Sequence, residues 1–213
     1  MKTCYIVGAG DFFEKSLPVK EGDYVIAADG GYEHLLKIGI IPDVILGDFD
    51  SIDPNIYKNI SGTGNLRDKI IEFPRQKDET DMMLAVRHGM EKGYGFFQIF
   101  GWGGGRVSHT FANMQLITYI FQMGAEGALI DRETLVTAVK NAEISFGKDQ
   151  KGYISLLSLN DVSEGITIKG LKYEIENASL ENYTTVGVSN EFIGKENSIR
   201  VENGLLAIII ENL

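Results

Sequence analysis

The chain is short of three things, and each shortage excludes a class of protein. It holds one cysteine in 213 residues, Cys4. An internal disulfide is therefore impossible, and a thiolate metal centre has too few ligands. Histidines 34, 88 and 109 are scattered, and none stands at ligand spacing from Cys4. Positive charge is also scarce, with 20 Lys and Arg against 30 Asp and Glu, a net charge of −10 and a pI near 4.8. Such a chain repels a phosphodiester backbone, so nucleic acid is not an expected partner. A phosphorylated small molecule stays open if cations are brought in locally. Long hydrophobic runs are missing as well. The longest, Leu205 to Ile210, suits a terminal strand and falls far short of a membrane span of about 20 residues. Met1-Lys2-Thr3 runs straight into Tyr5-Ile6-Val7-Gly8, without the apolar core or cleavage pattern of a signal peptide. A soluble cytoplasmic protein without a membrane partner is expected.

Familiar catalytic signatures are absent too. There is no G-x-x-x-x-G-K-[ST] loop and no G-x-S-x-G elbow. Gly8-Ala9-Gly10 lacks the third glycine of a dinucleotide fingerprint. What the chain does have is hydrophobic residues, 44% of the total, enough for one large domain or two small ones.

The first half alternates strand and helix signals. Tyr5–Val7, Tyr24–Ala28, Val44–Leu46, Ile70–Phe73 and Phe96–Phe100 read as strands. Helices are expected over roughly 32–38, with Gly39 at the C′ position, over 78–91 and over 109–123. Asp53-Pro54 opens a further short segment of helical character. This alternation predicts a parallel sheet covered by helices. Beyond about residue 130 the helical period fades. Short alternating runs replace it at Ile154–Leu159, Ile166–Ile168, Tyr173–Ile175, Thr184–Val188 and Ile199–Val201, the pattern of an antiparallel sandwich or barrel. The expected fold is therefore α/β: an N-terminal Rossmann-like parallel sheet with flanking helices over 1–135, then a C-terminal antiparallel β-sandwich domain over 136–213.

The densest chemistry lies at 43–51, DVILGDFDS. An apolar run ends in Gly47 and then Asp48 and Asp50. Residues two apart on an extended chain point the same way, which puts both carboxylates on one side of a strand's carboxyl end. Their mutual repulsion is relieved by a divalent cation, and hard oxygens suit Mg²⁺. Asp29 and the Asp78/Asp81 pair also fall at or just after strand ends. Each has a plainer reading: Asp29-Gly30-Gly31 as a turn, and Asp78 as the cap of the following helix. Gly101 to Gly105, interrupted only by Trp102 and followed by Arg106, form a second group. Closely spaced glycines let backbone N–H groups approach an anion, the next helix aims its N-terminus there, and Arg106 offers a fork of donors. His109 lies beside Arg106 and approaches the same place. Acids that hold Mg²⁺, a glycine cradle and an Arg together make a phosphoryl or nucleotidyl transfer site.

Taken in order, AADGGYEHLLKIGIIPDVILGDFDSI (27–52), KDETDMMLA (77–85), GWGGGRVSHTFAN (101–113), GLKY (170–173) and GVSNEF (187–192) resemble the thiamine pyrophosphokinase (thiamine diphosphokinase) family over nearly the whole chain. The resemblance implies a homodimer that moves the pyrophosphoryl group of ATP to the hydroxyl of thiamine and releases AMP. It implies Asp48, Asp50 and Asp81 around Mg²⁺ and the phosphates, with Asp29 and Asp78 close by. Arg106 with Gly103, Gly104 and Gly105 would hold phosphate, and His109 would stand nearby. Thiamine would lie near the subunit interface against the segment Gly170–Tyr173, where Tyr173 stacks on the cationic ring and Ser189 and Asn190 bond the pyrimidine. Two positions depart from the family's pattern. Ser108 stands where an Asp is usual, and Tyr173 where some members have Trp. The alternatives are a pterin pyrophosphokinase and a non-catalytic nucleotide or thiamine sensor.

Overall fold

Residues 2–49 and 67–212 are described by the structure, a computed structural model. Asp50 and the Asp53-Pro54 segment lie outside the described residues. The chain forms two units, Met1–Leu116 with Gly124–Asp131, and Ile117–Met123 with Arg132–Leu213.

In the first unit, β1 (Cys4–Val7), β2 (Tyr24–Ala28), β3 (Val44–Gly47), β4 (Ile70–Glu72), β5 (Phe96–Phe100) and β6 (Glu126–Ile130) lie in the order β6-β5-β1-β2-β3-β4. Every pairing is parallel. β1 and β3 are buried along their whole length, as a strand covered on both faces requires. Tyr5, Val7, Ala27, Ile45 and Phe100 share one core cluster with Tyr32 and Leu35 of α1 (Gly31–Lys37). α1 ends where the glycine signal predicts. Gly39 has φ 72 and its N–H bonds to Leu36 O at 3.1 Å, a helix stop that a side chain would strain. α2 (Asp81–Glu91) buries Met82, Ala85, Val86 and Gly89, one stripe at helical spacing. Where a side chain on Gly89 would sit, the Phe97 ring and Cys4 Sγ lie 2.7 and 2.9 Å away, so Cys4 is a buried core thiol. α3 (Val107–Gln122) follows β5, starting two residues earlier than its expected position.

The N-terminus of α2 differs from expectation. Asp78 does not cap it; Thr80 does, accepting from Met83 N–H at 3.3 Å. Both residues are good caps, but the helix starts at Asp81, and only Thr80 stands next to it.

In the second unit, β7 (Thr134–Lys140), β9 (Tyr153–Ser158), β12 (Asn190–Glu191) and β14 (Leu205–Glu211) run in the order β12-β9-β14-β7. β8 (Glu143–Ile144), β10 (Val162–Lys169), β11 (Ile175–Glu181) and β13 (Ser198–Arg200) form a four-stranded sheet in the order β11-β10-β13-β8. These pairings are antiparallel. Ile154, Leu206 and Ile208 from the first group meet Ile166, Ile168 and Ile199 from the second in one core, which makes the expected sandwich. Two expected strands are not there. Tyr173 precedes β11 and lies in a bend. Thr184–Val188 folds as turns, closed by Thr184 N–H on Glu181 O and Val188 N–H on Thr185 O. Its alternation does not reflect burial, since Tyr183 and Val186 are 80% and 87% exposed.

Candidate active site

After β4 the chain crosses back and adds β5 and β6 on the other side of β1. The strand order reverses between β1 and β5, and in open α/β sheets the crevice outside the carboxyl ends of such strands binds ligands. Gly8-Ala9-Gly10 leaves β1 at that point and Gly101–Gly105 leaves β5. The two loops are zipped together. Gly8 N–H bonds to Phe100 O, Gly10 N–H to Gly101 O, and Asp11 N–H to Gly103 O, each at 2.9 Å. A Cβ on Gly10 would fall 2.1 Å from Gly103 O. One on Gly101, whose φ is 62, would fall 2.3 Å from Gly8 O. The first glycine pair is thus no dinucleotide fingerprint; it lets the two loops touch. His34 Nε2 holds Gly10 O at 2.9 Å, and its ring stacks on Phe12.

Below these loops lies a cavity of about 600 Å³. Asp29, Asp48, Asp78 and Asp81 all line it, four of the expected acids gathered in one place. Asp29 is buried and has φ 49, a left-handed backbone that Asp tolerates better than most residues, with its N–H on Leu46 O at 2.8 Å. Asp48 follows the end of β3. The alternation invoked for Asp48 and Asp50 does not continue past it, because Phe49 is buried with φ 59 and the chain is no longer extended. Among the described residues no three His, Cys, Asp or Glu side chains gather as a metal cluster.

The cation in this acidic pocket is one the motifs did not single out. Lys77 Nζ lies 2.6 Å from Asp81 Oδ1 and 3.4 Å from Asp48 Oδ2. All three side chains are largely buried, at 14%, 24% and 13% exposure for Lys77, Asp81 and Asp48. Burial alone would pull the Lys77 ammonium down, but the bond and charge of Asp81 and then those of Asp48 outweigh it and hold its pKa above the usual lysine value. Arg75 and Arg106 line the same cavity. Lys77 sits inside the KDETD motif, yet no spacing rule marks it. Trp102 and Asn113 also line the cavity unforeseen. Asn113 Nδ2 donates to Trp102 O at 2.7 Å, and the buried Trp102 Nε1 has no acceptor among the described residues.

Of the glycine loop, Gly103 and Gly105 line the cavity and Gly104 does not. Gly104 has φ 82, and its missing side chain leaves room for the Asp11 carboxylate. Arg106 donates to His109 Nε2, so both residues hold the cavity's edge as a pair. Ser108 is exposed and does not line the cavity.

The remaining expected residues lie in the second unit. Asn190 is buried, and both ends of its amide are engaged. Its Oδ1 accepts from Tyr173 N–H at 3.0 Å and its Nδ2 donates to Tyr173 O at 2.7 Å. The Tyr173 ring is 60% exposed, with Lys172 Nζ 5.7 Å from its centre. Ser189 is exposed with φ 62, and its N–H bonds to Ser155 Oγ at 3.1 Å. The two late motifs are therefore neighbours, joined also by Lys172 N–H on Glu191 O at 3.0 Å.

Comparison with known proteins decides between the alternatives. A family model of the thiamin pyrophosphokinase catalytic domain matches residues 17–126, and one of the thiamin pyrophosphokinase vitamin B1 binding domain matches residues 141–206. The chain belongs to the thiamin pyrophosphokinase family. The thiamine pyrophosphokinase of Bacillus subtilis (strain 168) is 31% identical over 215 residues, 98% of each chain. A thiamin pyrophosphokinase of Caenorhabditis elegans is 29% identical over 205 residues, 89% of this chain and 80% of that one. The crystal structure of the Bacillus subtilis thiamine pyrophosphokinase matches with a TM-score of 0.89 at 30% identity, covering 99% of both chains. The activity of thiamin pyrophosphokinases is the ATP-dependent transfer of a pyrophosphoryl group to thiamine, and it is the activity of this chain. ATP in this family generally comes with a divalent metal. Among the described residues no helix is long and apolar enough to cross a membrane.

Proposed function

We propose that the cavity at the carboxyl ends of β1 and β5 binds ATP as its Mg²⁺ complex, with Asp48, Asp50 and Asp81 holding the ion. One observation carries this reading. Asp48 Oδ2 and Asp81 Oδ1 converge on a single cation, the Lys77 ammonium, at 3.4 and 2.6 Å. Buried carboxylate oxygens directed at one positive centre are the donor set a hard divalent ion takes. The ion supplies charge neutralisation for phosphates that the acids would otherwise repel.

The chain's own residues do the rest. Asp29 and Asp78 border the phosphate site. Gly103 to Gly105 offer backbone N–H groups, and Arg106, aimed by His109, offers its fork to phosphate oxygens. The thiamine hydroxyl oxygen attacks the β-phosphorus in line. A new O–P bond forms as the α–β bridge breaks, and the bridging oxygen leaves with AMP. A cavity carboxylate takes the hydroxyl proton. On this reading residues 1–135 carry the catalysis and 136–213 the thiamine site. Tyr173 stacks on the thiazolium and the Ser189 hydroxyl bonds the pyrimidine. Asn190 acts by fixing Tyr173, because its amide is already committed there.

The proposal takes the working form to be a cytoplasmic homodimer. An exposed apolar stripe on α3 supports a second copy. Val107, Phe111 and Met114 recur at helical spacing with exposures of 84%, 62% and 36%. The test is to incubate the protein with Mg-ATP and thiamine and separate the products. AMP with thiamine diphosphate is expected, and ADP with thiamine monophosphate would refute the β-phosphorus attack. Asp48→Asn and Asp50→Asn should each cut turnover by about 10³-fold with an unchanged circular dichroism spectrum. Near-normal AMP release by Asp50→Asn would remove Asp50 from the mechanism.

A further inference from the structure

We infer that Lys77 is a built-in counter-ion that occupies the place of the divalent metal and must be expelled before the metal can bind. The inference rests on the proposed role of Asp48 and Asp81.

Lys77 Nζ stands 2.6 Å from Asp81 Oδ1 and 3.4 Å from Asp48 Oδ2, between the end of β3 and the start of α2. The two ion pairs share one nitrogen. A Mg²⁺ ion binds carboxylate oxygen at about 2.0–2.1 Å. An ammonium and a divalent cation cannot share these oxygens at such distances without strong mutual repulsion. One must leave, and Lys77 is the one on a flexible four-carbon stem. In its present position Nζ also lies 6.0 Å from the Phe73 ring centre.

A functional consequence follows. Without Lys77 the two carboxylates would lose the cation they share. With it part of their repulsion is offset, and a free metal ion gains less by entering, because it must first displace a cation of the protein's own. A metal ion arriving on a triphosphate is different. The phosphate oxygens take over the expelled ammonium, so the exchange conserves its charge pairing. The metal therefore enters with the nucleotide and not before it.

Mn²⁺ is the probe, titrated by electron paramagnetic resonance into the full-length protein with no nucleotide present. Lys77→Met keeps the length of the side chain and removes its charge, and Lys77→Gln serves as a second variant. Both should bind Mn²⁺ alone about tenfold more tightly than the unsubstituted chain. Both should also gain more in Tm on adding Mn²⁺. Lys77→Arg, which keeps the charge, should bind Mn²⁺ as weakly as the unsubstituted chain. A lysine that merely props up the fold would not tighten metal binding when removed. If neither neutral variant binds Mn²⁺ more tightly, while Asp48→Asn still weakens that binding, the inference falls and the proposed site stands. If Mn²⁺ binding ignores both Asp48→Asn and Asp81→Asn, with or without Lys77, the proposed site falls together with the inference.

Discussion

Replacing Gly10 by Ala isolates the closest backbone approach in the site from any side-chain chemistry. Gly10 is not held at positive φ, so the substitution acts by volume alone. The new Cβ would stand 2.1 Å from Gly103 O and 2.7 Å from Gly101 O, where ordinary contacts begin at 3.4 Å. Neither obstacle is a flexible side chain that could swing away; both are carbonyls of the facing loop. The two loops must part by about 1 Å, and the bonds from Gly10 and Asp11 N–H to those same carbonyls are lost or stretched. Two hydrogen bonds at about 1 kcal/mol each, plus about 1 kcal/mol of overpacking, give about 3 kcal/mol. For a chain of this size that is a Tm fall of about 6–12 °C. Catalysis should suffer more than stability. The Gly103–Gly105 amides ride on the displaced loop, and a misplacement of about 1 Å costs roughly 10²-fold in rate. Differential scanning calorimetry and an AMP-release assay read the two effects. Gly95→Ala is the control, since nothing lies within 4 Å of its Cβ position and its φ is not positive. A Gly10→Ala protein with the Tm and kcat of the Gly95→Ala control would refute the argument that the loops are held together by the absence of a side chain.

Thr80→Ala removes the cap of α2 and should cost about 1 kcal/mol, seen as a Tm fall of about 2–4 °C by calorimetry. Cys4 is enclosed, and burial followed by the nearby Asp43 charge pushes its thiol well above the usual range. It should resist an aromatic disulfide reagent in the native protein and react only as the chain unfolds, and prompt labelling at neutral pH would contradict that. Asn190→Ala releases the Tyr173 backbone and should raise KM for thiamine about tenfold while leaving KM for ATP unchanged in steady-state kinetics.

Much of the architecture is legible because it follows from local periodicity. The buried runs at β1, β2, β3 and β5 announce a covered parallel sheet, and the change of pattern after residue 130 announces the sandwich. A local pattern misleads where the fold offers it no partner. Thr184–Val188 alternates like a strand but folds as turns. Asp78 has the chemistry of a cap, but helix α2 starts three residues further on. Period 2 aligns side chains two apart only on an extended chain, and Phe49, with φ 59, is not extended. Lys77 and Asp48 are 29 residues apart, so their meeting depends on how the end of β3 and the start of α2 are packed, which no spacing rule records.

Composition gave a condition on function that only the tertiary structure could meet. A chain of net charge −10 can bind a triphosphate only if cations are concentrated at one point. Arg75 and Lys77, from the segment before α2, and Arg106, from the loop after β5, line one cavity with the acids. Five acids, Asp29, Asp48, Asp78, Glu79 and Asp81, still outnumber these three bases there, which is why the proposed reading needs a divalent ion as well. Most of the acidic surplus lies away from the cavity, while inside it the acids and bases are interleaved closely enough for one lysine to serve two aspartates. Glycine makes that density possible. Because Gly8, Gly10 and Gly101 lack side chains, the loops after β1 and β5 close on each other, and the charged side chains can converge below them. Filling any one of these positions should disturb the charged pocket without touching a charged residue.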